Sequence, residues 1–356
     1  MNGLVLSGGG ARAAYQIGAL KALFQLLPDE EKDFKLIFGS SIGAVNGALI
    51  AAGLRKSPEE AIASIEELWR ERTFSNSFAG TFSMAFVRSL RVGFLQYLRP
   101  GPGPTSTAIF DPSPLSRRID ELLYDFGGAS VDSHPTGLAS LGVMATEEGF
   151  TRKSVLIVNS TLPDSEVNLD GSRFNIHRVN HLSAAHLLAS AALPFVLPPV
   201  KLDTDEKNIV LVDGGIANNL PVDPAVRFGA KRVILIDTSG KKWWHDFHGR
   251  PYYTAESWAI DPTPGSSCAL PNDFMEIVSP NSFGKILKNS IGSSTKDFMR
   301  ALGPIWPVYR FLNNRMGEEC ALETISYTVL HKPYIAALID LGFEETKRSY
   351  EACKNQ

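Results

Sequence analysis

The chain has 356 residues, 44% hydrophobic and 21% charged, which points to one large domain or two ordinary ones and excludes disorder and fibrous repeats. Lys and Arg number 35 against 38 Asp and Glu, a net charge of −3, where a nucleic-acid binder should show a basic excess. The three cysteines, Cys268, Cys320 and Cys353, share no metal-ligand spacing and are too few for a disulfide framework, so a reducing compartment fits best.

In chain order, Leu4-Val5-Leu6 is a short apolar strand, Ser7 to Gly10 a turn, and Ala11 to Leu27 a helix with Tyr15, Ala19, Leu20, Leu23 and Leu27 on one face. The unit repeats. Lys35 to Phe38 is a strand, Gly39 to Gly43 a tight turn, and Ala44 to Ala52 a helix stopped by Gly53. Ser57-Pro58-Glu59-Glu60 opens a third helix to about Arg72, with a serine cap, proline at N1 and glutamate at N3. Such alternation predicts an α/β fold, a mostly parallel sheet with helices on its faces.

Residues 72–110 contain no Asp or Glu but four arginines, Arg72, Arg88, Arg91 and Arg99. Phe74, Phe78, Phe82, Phe86, Leu90, Phe94 and Leu98 recur every fourth residue, so neighbours share a helix face. This segment reads as a lid or membrane-docking insertion, with Phe78, Phe82, Phe86, Arg88 and Arg91 as the membrane contacts. An ordinary helix pair packed on the sheet is the competing reading. Further strands are expected at Leu141–Thr146, Ser154–Asn159, Ile209–Val212 and Arg232–Asp237, and a helix from His181 to Leu193. Beyond Gly240 the pattern weakens: 241–273 is irregular, and Ser282–Gly303 and Leu322–Cys353 are helical. The expected organisation is a domain over 1–240 with a mainly helical C-terminal region, 241–356, packing on it.

Ile37–Leu54 and Leu182–Val200 are uncharged and long enough to suggest membrane spans. Their glycines, prolines and polar residues favour buried core instead. The first ten residues lack a positively charged start and place Gly8-Gly9-Gly10 where a signal core would sit. The expectation is a chain that is cytoplasmic or peripherally associated with a membrane.

Gly39-Ser40-Ser41-Ile42-Gly43 is a G-x-S-x-G at a strand-to-helix turn. A turn sharp enough to lift the Ser41 hydroxyl above the sheet crowds its flanks, and glycine on either side relieves the crowding. Gly8-Gly9-Gly10 ends the first strand, so its amides can cradle a phosphate or an oxyanion. A dinucleotide fingerprint is disfavoured, because its last glycine is Ala13 here. A serine nucleophile needs a base. Asp213, in Val212-Asp213-Gly214-Gly215, sits at a strand tip, whereas His245, His248 and His331 are poorly placed for a triad.

These blocks resemble the patatin-like phospholipase family. Gly8-Gly9-Gly10-Ala11-Arg12 is similar to its oxyanion loop, Gly39 to Gly43 to its nucleophile motif, Asp213-Gly214-Gly215 to its acid motif, and Ala189 to Pro194 to the stretch before the acid. Together they cover about residues 3–226. The resemblance implies a Ser-Asp dyad with Ser41 as nucleophile and Asp213 as proton acceptor, acting on lipid esters without metal or cofactor. Arg12 would steady the loop or meet an anionic headgroup. Acyl transfer on the same site, or lipid binding by an inactive hydrolase, are the alternatives.

Overall fold

The computed structural model describes residues 1–80, 108–149, 152–194, 196–203, 208–239, 273–292 and 294–354. Phe82, Phe86, Arg88, Arg91, His245, His248 and Cys268 lie outside them.

Among the described residues nine strands form one sheet: β1 (Asn2–Leu6), β2 (Phe34–Ser40), β3 (Ser140–Glu147), β4 (Ser154–Ser160), β5 (Phe174–Arg178), β6 (Val200–Asp203), β7 (Asn208–Asp213), β8 (Arg232–Asp237) and β9 (Asp273–Val278). The order is β5-β4-β3-β2-β1-β8-β9, with β7 pairing β3 and β6 pairing β7. The run from β3 through β2, β1 and β8 to β9 is parallel, as are β4 and β5. The pairs β3–β4, β3–β7 and β6–β7 are antiparallel. The fold is α/β with a mostly parallel sheet. β5, β6 and β9, absent from the sequence reading, have five, four and six residues and carry charged or polar residues where β1 and β8 have unbroken apolar runs.

Alternation along the central strands feeds two cores, since successive side chains leave opposite faces of a sheet. Leu4, Leu6 and Ile37 pack on one face, and Val5, Leu36 and Phe38 on the other. The first face is covered by α1 (Ala14–Leu26), α2 (Ile42–Gly53), α3 (Pro58–Glu71), α4 (Ser113–Asp125) and α5 (Ala184–Ala191). The uncharged segment Ile37–Leu54 is core, with α2 buried at every residue, whereas Leu182–Val200 is buried only in part, Leu187 being 0% and Leu193 40% exposed. Among the described residues no helix is long and apolar enough to cross a membrane.

The C-terminal region is mainly helical, with α6 (Phe283–Ser290), α7 (Thr295–Leu302), α8 (Trp306–Met316), α9 (Glu318–Ile325) and α10 (Lys332–Lys354). Each of the two expected helical stretches is split. Ser294 starts α7 afresh by accepting a bond from the Asp297 amide, and Ser326 to His331 part α9 from α10. α10 lies against α1 so closely that each helix needs a glycine: a Cβ on Gly18 would stand 1.8 Å from Ile339 O, and one on Gly342 2.1 Å from Tyr15 O.

Candidate active site

Strand register brings the two motifs together. In the parallel β2–β3 pair Ser40 lies beside Met144, and in the antiparallel β3–β7 pair Ala145 lies beside Asp213. The residues that follow these strand ends therefore meet above the edge of β3. Ser41 occupies the turn into α2 with φ 52° and ψ −132°, a region that side-chain-bearing residues rarely adopt. Its amide donates to Ser190 Oγ at 2.9 Å, and Ser190 in turn donates to Met144 O. The start of α2, whose unpaired amides favour negative charge, lies directly after Ser41.

Gly39 and Gly43 answer to close approach. A Cβ on Gly39 would fall 2.5 Å from Ala44 Cα, and one on Gly43 would fall 2.3 Å from Ser7 O and 2.5 Å from Leu6 O. Backbone cannot yield as a side-chain end can. Gly43→Ala should lower stability by roughly 1–3 kcal/mol and reduce activity, because the start of α2 must move off β1. Gly47→Ala is the control: one turn on, its Cβ would meet only Ile37 and Leu6 side chains, at 3.2 and 3.5 Å. Thermal melts and ester assays of both variants check this, and equal behaviour would contradict it.

Ser41 Oγ donates to Asp213 Oδ2 at 2.6 Å. The other carboxylate oxygen accepts from the Gly215 amide at 2.7 Å. Asp213 is 6% exposed, and this burial pushes its pKa up to about 6, although the bonds from Ser41 and Gly215 pull the other way. That places it nearer the range of a useful general base than an ordinary aspartate. Gly214 is required by the fold of the turn, since a Cβ there would lie 2.2 Å from Met144 O.

Gly8, Gly9 and Gly10 line the same cavity of about 480 Å³ as Ser41 and Asp213. Their amides are not equivalent. Gly8 N–H donates to Asn219 O at 3.3 Å, whereas those of Gly9 and Gly10 have no partner among the described residues. All three glycines face close neighbours: a Cβ would approach Asn219 Oδ1 to 2.3 Å from Gly8, Thr238 Oγ1 to 2.1 Å from Gly9, and Tyr327 O to 2.1 Å from Gly10. Gly10 also has φ +55°, the left-handed region that suits glycine.

Arg12 faces inward. It is fully buried and offers nothing to a headgroup. Its Nε donates to Ser326 Oγ at 2.8 Å, Nη1 to Ser239 O at 3.3 Å, and Nη2 to Glu323 O at 2.6 Å and Glu323 Oε1 at 2.8 Å. The Tyr327 ring lies 3.7 Å from its Cζ, and Tyr327 O accepts the Ala11 amide at 2.7 Å. The segment joining α9 to α10 thus grips the glycine loop from behind.

Three residues of this arrangement escaped the sequence reading. Asn219, four residues past the Asp-Gly-Gly, brackets Gly8: its main-chain oxygen accepts from the Gly8 amide and its Nδ2 donates to Gly8 O, both at 3.3 Å; its spacing from Asp213 was the available signal. Glu323 and Tyr327 carry no local signal, being more than 300 residues from the loop they hold. Phe78, read as a membrane contact, lines the cavity with its ring stacked on Phe110 at 4.9 Å between centroids. Arg72 lines the cavity too. Among the described residues no histidine does; His331 bonds Ser290 O at 3.2 Å.

The chain is 29% identical over 238 residues to human patatin-like phospholipase domain-containing protein 6, covering 67% of this chain and 13% of that protein. It is 25% identical over 218 residues to the uncharacterized protein YqhO of Bacillus subtilis (strain 168), covering 61% of this chain and 64% of that one. It thus spans about an eighth of the length of the human relative. Among solved structures, human GIVD cytosolic phospholipase A2 aligns with a TM-score of 0.47 at 13% identity, covering 100% of this chain and 59% of that one. The model of the family described as patatin-like phospholipase matches residues 4–226, well over half of the sequence, and the chain belongs to that family.

Proposed function

We propose that the protein is a lipid acyl hydrolase that cleaves carboxylic esters of phospholipids, lysophospholipids or related glycerolipids through a Ser41–Asp213 dyad. The observation that carries this is the 2.6 Å hydrogen bond from Ser41 Oγ to Asp213 Oδ2 inside a cavity walled by the glycine loop. Asp213 takes the proton as Ser41 Oγ attacks the ester carbonyl, and the carbonyl oxygen becomes an oxyanion. The unpaired Gly9 and Gly10 amides and the start of α2 offset that charge. Collapse expels the alcohol, which recovers the proton from Asp213, and leaves an acyl group on Ser41. Water, losing its proton to Asp213, then releases the fatty acid. No third group is needed to orient the base, because the Gly215 amide and the β7 backbone already hold it.

The substrate end of the cavity favours an acyl chain. Phe74, Phe110, Leu115, Leu193, Val196 and Leu312 line it, and apolar walls with few polar groups are the usual form of such a pocket. The segment bearing Phe82, Phe86, Arg88 and Arg91 is proposed to meet the lipid surface, because an aromatic face with basic neighbours suits an interfacial position.

Active-site labelling tests the reading. A long-chain alkyl fluorophosphonate should phosphonylate Ser41 in the wild-type protein, seen by mass spectrometry of the peptide, and abolish hydrolysis of p-nitrophenyl butyrate. Ser41→Ala should take no label and turn over the ester no faster than background. Labelling at another serine, or residual turnover by Ser41→Ala, would refute the assignment.

A further inference from the structure

Among the described residues the cavity wall carries a single cation, Arg72, which caps the C-terminal end of α3. Arg72 is 7% exposed. Burying a guanidinium is strongly unfavourable unless an opposite charge and hydrogen bonds replace its water. The two other deeply buried arginines meet that requirement: Arg12 has Glu323 at 2.8 Å and Arg227 has Asp223 at 2.8 Å. Arg72 does not. Among the described residues no carboxylate pairs with it, no acceptor receives a bond from its guanidinium, and its Nε is buried without a partner.

Its companion is the Trp69 ring, 4.5 Å from Cζ and pinned by a 2.9 Å bond from Trp69 Nε1 to Asn46 Oδ1. A cation over a ring recovers part of the lost hydration but supplies no acceptor. Burial lowers the Arg72 pKa to about 10, so the charge persists at neutral pH. The cavity wall therefore holds a preorganised, charged donor fork with nothing among the described residues to satisfy it.

We propose that Arg72 is the subsite for the phosphodiester of a glycerophospholipid whose scissile ester lies at Ser41. This deepens, and rests on, the reading of the cavity as a lipid acyl hydrolase site. A guanidinium presents paired N–H groups that match two oxygens of a phosphate. The remaining wall is largely apolar, so the ligand must bring one anion and at least one hydrocarbon chain. A glycerophospholipid brings both. A neutral glyceride brings no anion and leaves the buried charge unpaired, which turns Arg72 into a discriminator against it.

The test separates binding from turnover. In the Ser41→Ala background, dihexanoylphosphatidylcholine and dihexanoylglycerol are titrated below their micelle concentrations by calorimetry. Arg72→Gln should weaken phosphatidylcholine binding by about tenfold or more, with Arg72→Lys losing less, and should leave dihexanoylglycerol binding within about twofold. With Ser41 restored, kcat/KM for the phospholipid should fall by a similar factor, and at least several-fold further than kcat/KM for p-nitrophenyl butyrate, which brings no phosphate. Melting temperatures of the variants show whether they fold. Equal binding of phosphatidylcholine by Arg72→Gln, or equal losses on both lipids, would overturn the proposal. So would displacement of the lipid by millimolar inorganic phosphate, which would mark a free-anion site. Arg72-dependent phospholipid binding by a wild-type protein that turns over no ester would sink the hydrolase reading, and with it the scissile ester at Ser41, and would keep Arg72 only as a phospholipid-binding subsite.

Discussion

Asp213→Asn should lower ester hydrolysis by about 10²–10⁴-fold while leaving the protein at least as stable as wild type at pH 8. Asparagine keeps an oxygen for the Gly215 amide but cannot take the Ser41 proton. The stability half follows from the raised pKa. An unfolded aspartate releases its proton near its ordinary value of 3.8, and the folded group near 6. Between those values the folded state holds more protons, so stability falls as pH rises through that window and stays level above it. A shift of about two units corresponds to roughly 3 kcal/mol, which the asparagine variant does not lose. Activity runs the other way, rising with pH and levelling once Asp213 is ionised, above about pH 6. A pH–rate profile of kcat/KM and melts of both proteins at pH 4 and pH 8 measure these effects. Retention of more than a tenth of wild-type activity by Asp213→Asn would show that another group is the base.

Glu323→Ala should destabilise the protein by about 3–5 kcal/mol, the largest loss expected from a residue that does not line the cavity. Its carboxylate is buried and fully used: Oε1 accepts from Arg12, and Oε2 from Ser282 Oγ and the Gly284 amide, each at 2.6 Å. Removing it strands the Arg12 guanidinium, whose side chain is 0% exposed. Activity should fall as well, because Arg12 lies two residues past Gly10. Pairing Arg12→Met with Glu323→Leu should recover much of the stability, since replacing both members of a buried ion pair is often neutral. Denaturant titrations of the single and double variants test the coupling. Additive effects would mean that the two side chains act independently.

How legible the protein was depended on sequence distance. The Ser41 turn and the Asp213 tip could be read because each is written in about five consecutive residues whose small size has a local steric cause. The parallel pairing near them followed from strand–helix alternation. Partners hundreds of residues apart could not be read: nothing in Ser326-Tyr327-Thr328 announces that it holds the glycine loop, and the break between α9 and α10 that frees these residues looked like continuous helix. Arg72 was visible only as one basic residue in an acid-poor stretch. The same scarcity of carboxylates, taken as a mark of a membrane surface, also leaves this arginine without a carboxylate partner among the described residues. α8 went unread because Pro307 interrupts the pattern at its start, although proline is well suited to a first helical turn.

The position of β1 has a consequence in time. It lies in the interior of the sheet, between β2 and β8, so one of its edges is paired early in synthesis and the other waits for Arg232. At roughly 5–20 residues per second, the intervening stretch of about 225 residues keeps that edge open for about 10–45 s. Unpaired strand edges invite wrong partners, and long-range parallel pairing is slow. Throughout this interval the emerging polypeptide can display the Ser41 turn, yet its hydrogen-bond partner Asp213 is made 172 residues later and the Tyr327 segment that holds the glycine loop later still. A chain stalled between Asp213 and Tyr327 therefore carries both members of the Ser41–Asp213 pair while the glycine loop still lacks the segment that holds it from behind.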